Sequence, residues 1–500
     1  MTVYYYADPE ARRQAADKGG WWTPAYIPCL LTELGVTAEP LAPGAEPGPD
    51  DVVFAPAGTE LPPCKRVLWP VTDRKERGVK GVFDLEGVRV FLSVPLTGEP
   101  VSETEDSLTF GFDLPGQLWF AGDGFPRPPQ NFFVGRIPDA VPVDCPDKAA
   151  EPYNAALLRR LARTLRKWGV PMFAPLPPLE GLLPDVGLTV SGDDDACSAD
   201  INLEAGSVMN GLGIRYHINA MPTPDGKFIM SREDYDTLRA MGTETALHLD
   251  LTVKPEDTPG ETRRQAALFE SYFGDRPVTN CNHCLIQVGE CDERLEALAA
   301  AGVIADNSKN GDPDPEDING FDMTGFGFGF IHPRYTLNRK GEWIDCMEIP
   351  QNYYEPRVGG KYGSDTEKLR RYFAIGEKYM GVCQLFIHPH YLCSDNPHSA
   401  WSVAALRAAK GFLQGKRVWQ TTVNDLAVWW RNRRLGSLEM KDGAIAAEVK
   451  APSIVLLPEG FDTTGSDYPV RTAPSGLKYV ALQKPGRHEI PLRKLKEWEK

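Results

Sequence analysis

Apolar positions along the chain fall into runs of two periods. Leu157, Leu158, Leu161, Leu165 and Trp168 recur at helical spacing and the run stops at Gly169, which predicts a helix over 153–168. The Pro-rich stretch from Pro171 to Pro184 reads as a linker. From there to about residue 432, short β-type runs alternate with helical ones. Leu188-Thr-Val-Ser-Gly-Asp-Asp-Asp195 and Ile214-Arg-Tyr-His-Ile-Asn-Ala-Met221 are strand-like, and helices are expected near 262–273, 293–301 and 366–380, the last with Ser364 and Glu367 as a capping box. Repeated strand–helix units imply parallel strands with helices outside, hence an α/β fold with a barrel-like central sheet. Upstream, a helical stretch around 22–34 and strands at 51–55 and 66–69 suggest a small α/β domain with a β-rich insertion. Downstream, alternation around Asp442-Gly443 predicts a hairpin in a small β domain. The expected boundaries are 1–150, 151–185 for helix and linker, 186–432 for the central unit and 433–500.

At 500 residues the chain is too long for one ordinary core. With 42% hydrophobic and 25% charged residues it can bury substantial cores and has no reason to be disordered. A net charge of −15 disfavours nucleic acid and anionic membrane surfaces as partners. The start Met1-Thr-Val-Tyr-Tyr-Tyr6 lacks the basic and apolar regions of a signal peptide, and no window approaches ~18 apolar residues, so a cytoplasmic location is expected. Oligomeric state is left open. The ten cysteines form no repeating framework and read as reduced thiols. Cys281-Asn-His-Cys284 is a lone C-x-x-C, which Cys291 and a remote ligand would extend to a zinc site; with no second pair, buried free thiols are the favoured reading.

The candidate chemistry lies where β-like runs end. Three adjacent carboxylates, Asp193, Asp194 and Asp195, close one run; His248, His283 and the pair His388 and His390 follow others. Alone, an acidic run is usually a solvated loop. In a barrel-like sheet, however, strand C-termini gather at one face, where these residues would converge. The remaining histidines have plainer readings: His217 as a satisfied core residue, His332 and His398 beside prolines in loops, and His488 in the C-terminal unit.

Thr189-Val-Ser-Gly-Asp-Asp resembles the first motif of polysaccharide deacetylases with the NodB homology domain (carbohydrate esterase family 4), whose strand supplies a catalytic base and then a metal ligand. Ile214-Arg-Tyr-His-Ile-Asn is similar to that family's second strand, Ala246-Leu-His-Leu-Asp250 to its second motif, and Leu385-Phe-Ile-His-Pro-His390 to its last, whose histidine is the general acid. The resemblance spans about half the chain and implies a deformed (β/α) barrel of NodB type, a divalent ion with zinc favoured, and hydrolysis of an N-acetyl or O-acetyl group on a saccharide. Two departures stand out: Thr252 occupies the place of the family's second metal-binding histidine, and Asn280-Cys-Asn-His-Cys-Leu285 the place of its Arg-x-Pro-Tyr motif. His283 is therefore the candidate third ligand beside His248. The base and the carboxylate ligand are Asp193 and Asp194, or Asp194 and Asp195 if the strand carries a bulge. His388 is favoured over His390 as acid, both being on one strand face if the strand continues. Asn282, Asp250, Trp343 and Tyr391 are substrate-binding candidates, and Tyr353, Tyr354 and Trp401 are further aromatics able to stack on sugars. A glycosidase with paired carboxylates and a non-catalytic carbohydrate-binding relative remain as alternatives. The N-terminal unit resembles class I glutamine amidotransferase-like domains but lacks a nucleophilic Cys–His pair, which leaves it a structural or substrate-positioning role.

Overall fold

A computed structural model describes residues 1–42, 44–72, 79–123, 133–134, 150–252, 254–287, 291–309, 324–360, 365–465 and 467–496. Its central sheet is built from β1 (Val186–Asp193), β2 (Tyr216–Ala220), β3 (Thr243–Leu249), β4 (Thr279–Asn282), β5 (Ala305–Asp306), β6 (Met347–Glu348), β7 (Tyr353–Tyr354), β8 (Val382–Phe386) and β9 (Val418–Gln420). The strands run parallel in the order β6-β5-β4-β3-β2-β1-β8-β7, and β9 also pairs with β1. The two edge strands β6 and β7 are consecutive in the chain, joined by residues 349–352. Four residues span no more than about 17 Å between flanking strands, so the sheet must curl until its edges approach. The linker ties itself to β5 and the residues after it through Ile349 N to Asp306 O at 2.8 Å and Gln351 N to Lys309 O at 2.7 Å. The result is the expected α/β architecture with a deformed barrel at its centre.

Every residue of β1 is buried, as suits the middle strand of a parallel sheet covered on both faces. Part of the interior is polar and hydrogen-bonded, not greasy: Gln384 Nε2 donates to Ser191 Oγ at 3.0 Å, and Asn307 Nδ2 to Gln384 Oε1 at 3.0 Å. Helices follow the strands at 199–211, 232–240, 258–273, 291–300, 365–379, 399–412 and 423–434. The helix Thr258–Phe273 starts a turn earlier than the sequence pattern predicts, because Pro259 and Gly260 read as breakers. Pro is favourable in a first helical turn, and Asp257 caps this one by accepting from Gly260 N at 3.0 Å. Ser364 of the expected capping box lies outside the described residues.

The helix Tyr153–Lys167 forms as predicted and ends where Gly169 takes φ +99°. The Pro-rich stretch after it does more than link: Met172–Phe173 pairs antiparallel with Val455 and Leu456 of a C-terminal sheet. Near the N-terminus a sheet of parallel strands, with one antiparallel edge strand Val101–Glu103, carries the separate hairpin Gly81–Leu85 and Val88–Leu92. The C-terminal hairpin turns at Asp442 (φ +51°) and Gly443 (φ +77°), the positive-φ pair that a two-residue turn requires. No helix among the described residues is long and apolar enough to cross a membrane.

Candidate active site

The C-terminal ends of β1, β3, β4, β7 and β8 bring Asp193, Asp195, His248, His283, Glu355 and His388 to one end of the barrel. The triple Asp resolves by strand geometry. Asp193 and Asp195 flank His248, with Asp193 Oδ2 3.5 Å from His248 Nδ1 and Asp195 Oδ1 3.3 Å from His248 Nε2. Asp194 turns the other way and accepts from Met221 N at 2.9 Å and Ala196 N at 3.1 Å. Neither adjacent pair of carboxylates is therefore presented together, because β1 ends at Asp193 and Asp195 lies in the turn beyond it. Asp195 and Ala196 then take φ +46° and +55°, which ends the strand.

Asp193 is held by a neighbour in register: Asn219 faces it on β2 and donates Nδ2–H to Oδ1 at 2.7 Å. Asn219 Oδ1 is in turn 3.1 Å from His217 Nε2, so His217 is the core histidine expected, though only half satisfied: its buried Nδ1 has no partner among the described residues, and burial pushes its pKa down to about 4. Cys281 Sγ lies 3.6 Å from Asp193 Oδ2, and burial lifts that thiol's pKa well above the ordinary range. It is the buried free thiol of the favoured reading, whereas Cys284 is exposed. The side chain of Cys291 lies outside the described residues.

His248 separates two groups of possible metal donors. Asp193 and Cys281 lie on one side and Asp195 and His283 on the other, the donor atoms of each group being within 4.8 Å of one another. The two imidazoles are oriented by different acceptors. His248 Nδ1 is 2.8 Å from the Cys281 carbonyl oxygen, which can only accept, so the hydrogen sits on Nδ1 and Nε2 is left facing Asp195. His283 Nδ1 is 3.3 Å from Asp250 Oδ1, and Thr252 N and Oγ1 donate to that same oxygen at 2.9 and 2.6 Å. Thr252 thus supports the carboxylate that orients His283. Such outer partners are what metal-binding histidines ordinarily carry.

Across the pocket, Glu355 Oε1 accepts from His388 N at 3.0 Å and from His388 Nδ1 in a short contact, while His388 Nε2 is 3.5 Å from Asp195 Oδ2. Glu355 sits at φ +46° immediately after β7. The same signal that marked the histidines, a β-like run ending in a polar group, marks it too; a strand of two residues hides that signal in the sequence. His390 is not on a continued strand with His388. β8 ends at Phe386, and Pro389–Tyr391 form a 3₁₀ turn, as proline at a first helical position favours.

The charges follow from this packing. Burial favours the neutral form of Asp195, but the His248 hydrogen bond and the charges of His388, His248 and His283 outweigh it and hold the carboxyl at about 2. Burial dominates at Asp193, whose pKa is raised, and at Asp194, pushed up to about 7. For His388, burial is overcome by Glu355 and the pKa rises to about 9; for His283, the Asp250 bond raises it to about 10. His248 is also raised, burial being outweighed by Asp193 and Asp195. His390 is lowered, by burial and then by the His388 charge.

The substrate-binding candidates divide. Tyr391 stands at the pocket, its ring 6.1 Å from His388 and 4.0 Å from His390. Asp250 is at the rim but engaged by His283 and Thr252. Asn282 is buried with its side chain committed, accepting from Asn280 at 2.8 Å and donating to Ile286 O at 2.7 Å, which holds the turn carrying His283. Trp343 is not brought here: it precedes β6, at the opposite end of the barrel, and packs 4.8 Å from Tyr335 and 4.9 Å from the Arg434 guanidinium. His332 lies beside Pro333 in irregular chain, as expected, half-buried with its Nε2 3.1 and 3.3 Å from the Tyr379 and Met380 carbonyls.

No protein-family model matches the chain, and no curated protein is detectably similar to it. Among solved structures, a protein described as a polysaccharide deacetylase from Mycobacterium smegmatis aligns over 54% of this chain and 98% of its own, at 14% identity and TM-score 0.37. The chitin deacetylase from the fungal pathogen Colletotrichum lindemuthianum aligns over 50% and 91%, at 14% identity and TM-score 0.28. A truncated 3-deoxy-D-arabino-heptulosonate 7-phosphate synthase from Thermotoga maritima aligns over 46% and 90%, at 11% identity and TM-score 0.27.

Proposed function

We propose that this chain is a hydrolase that removes an N-acetyl or O-acetyl group from a saccharide, using a divalent ion, zinc first, held by Asp195, His248 and His283. The observation that carries the reading is the grouping of one ionised carboxylate with two imidazoles, each oriented through its other nitrogen, beside a histidine kept protonated. The donor set fits such an ion: oxygen and nitrogen ligands, three in number, of the kind that leaves a position open. When bound, the ion supplies a Lewis acid that polarises the acyl carbonyl and lowers the pKa of water from ~15.7 towards ~7.

Asp193 is assigned the base. It is anchored by Asn219, lies beside His248, and its raised pKa makes it a stronger proton acceptor than an ordinary carboxylate. It takes a proton from water as the new C–O bond forms. His388, protonated below about pH 9, gives its Nε2 proton to the departing amine or alkoxide as the C–N or C–O bond breaks. Glu355 holds the imidazole in place through Nδ1. Asp194 is assigned to the loop, not to the ion. The sugar in this reading rests on the motif resemblance, with Tyr391 as the ring at the pocket edge.

The test is acetate release from acetylated mono- and oligosaccharides, with and without chelator, alongside elemental analysis. Acetate that disappears on chelation and in His388→Ala, with metal retained in that variant, is the expected result. No acetate from any substrate with metal bound overturns the proposal, and reducing sugar in its place selects a glycosidase.

A further inference from the structure

A cavity of about 750 Å3 lies at the opposite end of the barrel from the candidate active site, among the helix Tyr153–Lys167, the end of the helix Asp365–Tyr379 and the C-terminal β segments near Leu456 and Lys478. That volume is in the range of small-molecule sites. Seven of its lining residues are Arg or Lys and three are Glu, on a chain whose net charge is −15. Most of the charges are already engaged. Arg163 pairs with Glu86 at 2.8 Å, Lys167 with Glu103 at 3.1 Å, Lys378 with Glu151 at 2.6 Å and Lys478 with Asp462 at 3.2 Å. Arg433 donates to the carbonyls of Thr32, Glu33, Phe173 and Ala174, Glu377 pairs with Lys416, and Glu33 accepts from Tyr26 Oη at 3.2 Å.

Arg159 and Arg166 are different. Among the described residues neither has a carboxylate within 4.0 Å. Arg159 has only the Tyr379 ring, 5.8 Å away. Arg166 is 8% exposed and lines the cavity, and among the described residues its one side-chain hydrogen bond is from Nε to Leu457 O at 3.1 Å, with none from either Nη. The exposed Glu459 is the nearest acidic influence on it. Arg166, a guanidinium taken out of water without a counter-charge, is held at a cost that an anion entering the cavity would relieve, whereas Arg159 is exposed and carries no such cost. The two arginines are seven positions apart on one helix face, so their Cα atoms are about 10.5 Å apart along the axis. Guanidinium forks suit phosphate oxygens bidentately.

We infer that this cavity binds an elongated small molecule carrying an anionic group at each end, of the bisphosphate kind, through Arg159 and Arg166. The inference is independent of the hydrolase reading. It predicts a second, metal-independent site facing away from the first. The experiment is isothermal titration of the full chain, freed of metal by chelator and dialysis, with fructose 1,6-bisphosphate, tripolyphosphate and citrate at matched ionic strength. Saturable one-to-one binding of a phosphate compound is expected, weakened roughly tenfold or more in Arg159→Met and in Arg166→Lys, each of which removes a charge-assisted fork. His248→Ala should bind as wild type, which separates this site from the metal ligands. Arg159 makes no structural hydrogen bond, so its variant remains informative if Arg166→Lys folds poorly. Heat with no saturation, affinity unchanged in Arg159→Met, or loss in His248→Ala overturns the inference, and citrate binding tighter than both phosphates overturns the choice of ligand.

Discussion

His388 owes its proton to one neighbour, and this makes it the most testable side chain in the molecule. With a pKa of about 9 set against burial chiefly by Glu355, it is a competent acid up to that pH and fails above it. In Glu355→Gln the imidazole loses its main charged support, so the alkaline limb of kcat should move to lower pH, and the pH–rate profile reads this directly. The same contact bears on stability. A histidine whose folded pKa exceeds its unfolded value of about 6.5 stabilises fully below that pH and loses the contribution as pH rises through about 9. Denaturant melts at pH 6 and 9 should therefore differ less in Glu355→Gln than in wild type. His388→Ala should cost roughly 10²–10⁴-fold in kcat with metal occupancy unchanged. The proposed metal ligands should behave oppositely: His283, protonated up to about pH 10 by Asp250, must lose that proton to bind an ion, so affinity should rise between pH 6 and 9. Elemental analysis should find metal lost in His248→Ala and His283→Ala and retained in Asp194→Asn; retention in both histidine variants would move the ion elsewhere.

Among the elements, β1 sets the site by its register with β2 and by one glycine. A Cβ on Gly192 would run into the Ile387 carbonyl and the Tyr216 hydroxyl, the hydroxyl being itself hydrogen-bonded to that carbonyl. The close approach of β1 to the end of β8 is what brings Asp195 within reach of His388. Gly192→Ala should destabilise by about 1–3 kcal/mol or more, the usual cost of overpacking, seen as a lower midpoint of urea unfolding with unchanged slope. Elements with a clear local signature were legible in advance. The helix 153–167 has an apolar stripe and a terminal glycine, and the 437–449 hairpin has Asp442-Gly443. Strands β5, β6 and β7 were not, because two residues carry no period, and their positions come from pairing across the barrel. Glu355 was missed for that reason.

Seen as a whole, the barrel is closed on its β5–β6 side by a buried charge cluster that no local pattern announces. Glu348 accepts from Arg294 at 2.7 Å, Lys309 at 2.8 Å and Arg334 at 2.7 Å, and Arg294 also bonds Asp306. Burial opposes ionisation of Glu348, but the three cations outweigh it and hold the carboxyl at about 2. A depressed carboxylate contributes stability that is present above its unfolded pKa and lost as pH falls through the folded one, here between about 4.5 and 2. Glu348→Gln should remove about 3–5 kcal/mol at neutral pH, since it strands buried cations, and should flatten the acid limb of stability over that window. Chemical unfolding at pH 7 and acid titration followed by circular dichroism check both. A change below about 1 kcal/mol would mean that solvent reaches the cluster.

Period, turn chemistry and residue type are local properties, and they sufficed for the α/β class and for the gathering of His248, His283 and His388 at one end of the barrel. Which of three adjacent aspartates faces the imidazoles is not local. It depends on the positive-φ turn at Asp195 and Ala196 where β1 ends, on Asn219 standing in register with Asp193, and on backbone amides of Met221 and Ala196 claiming Asp194. The exclusion of Trp343 and the entry of Glu355 have the same origin: position relative to a strand's end is a property of the curled sheet, and the sheet is built through contacts between residues far apart in the chain.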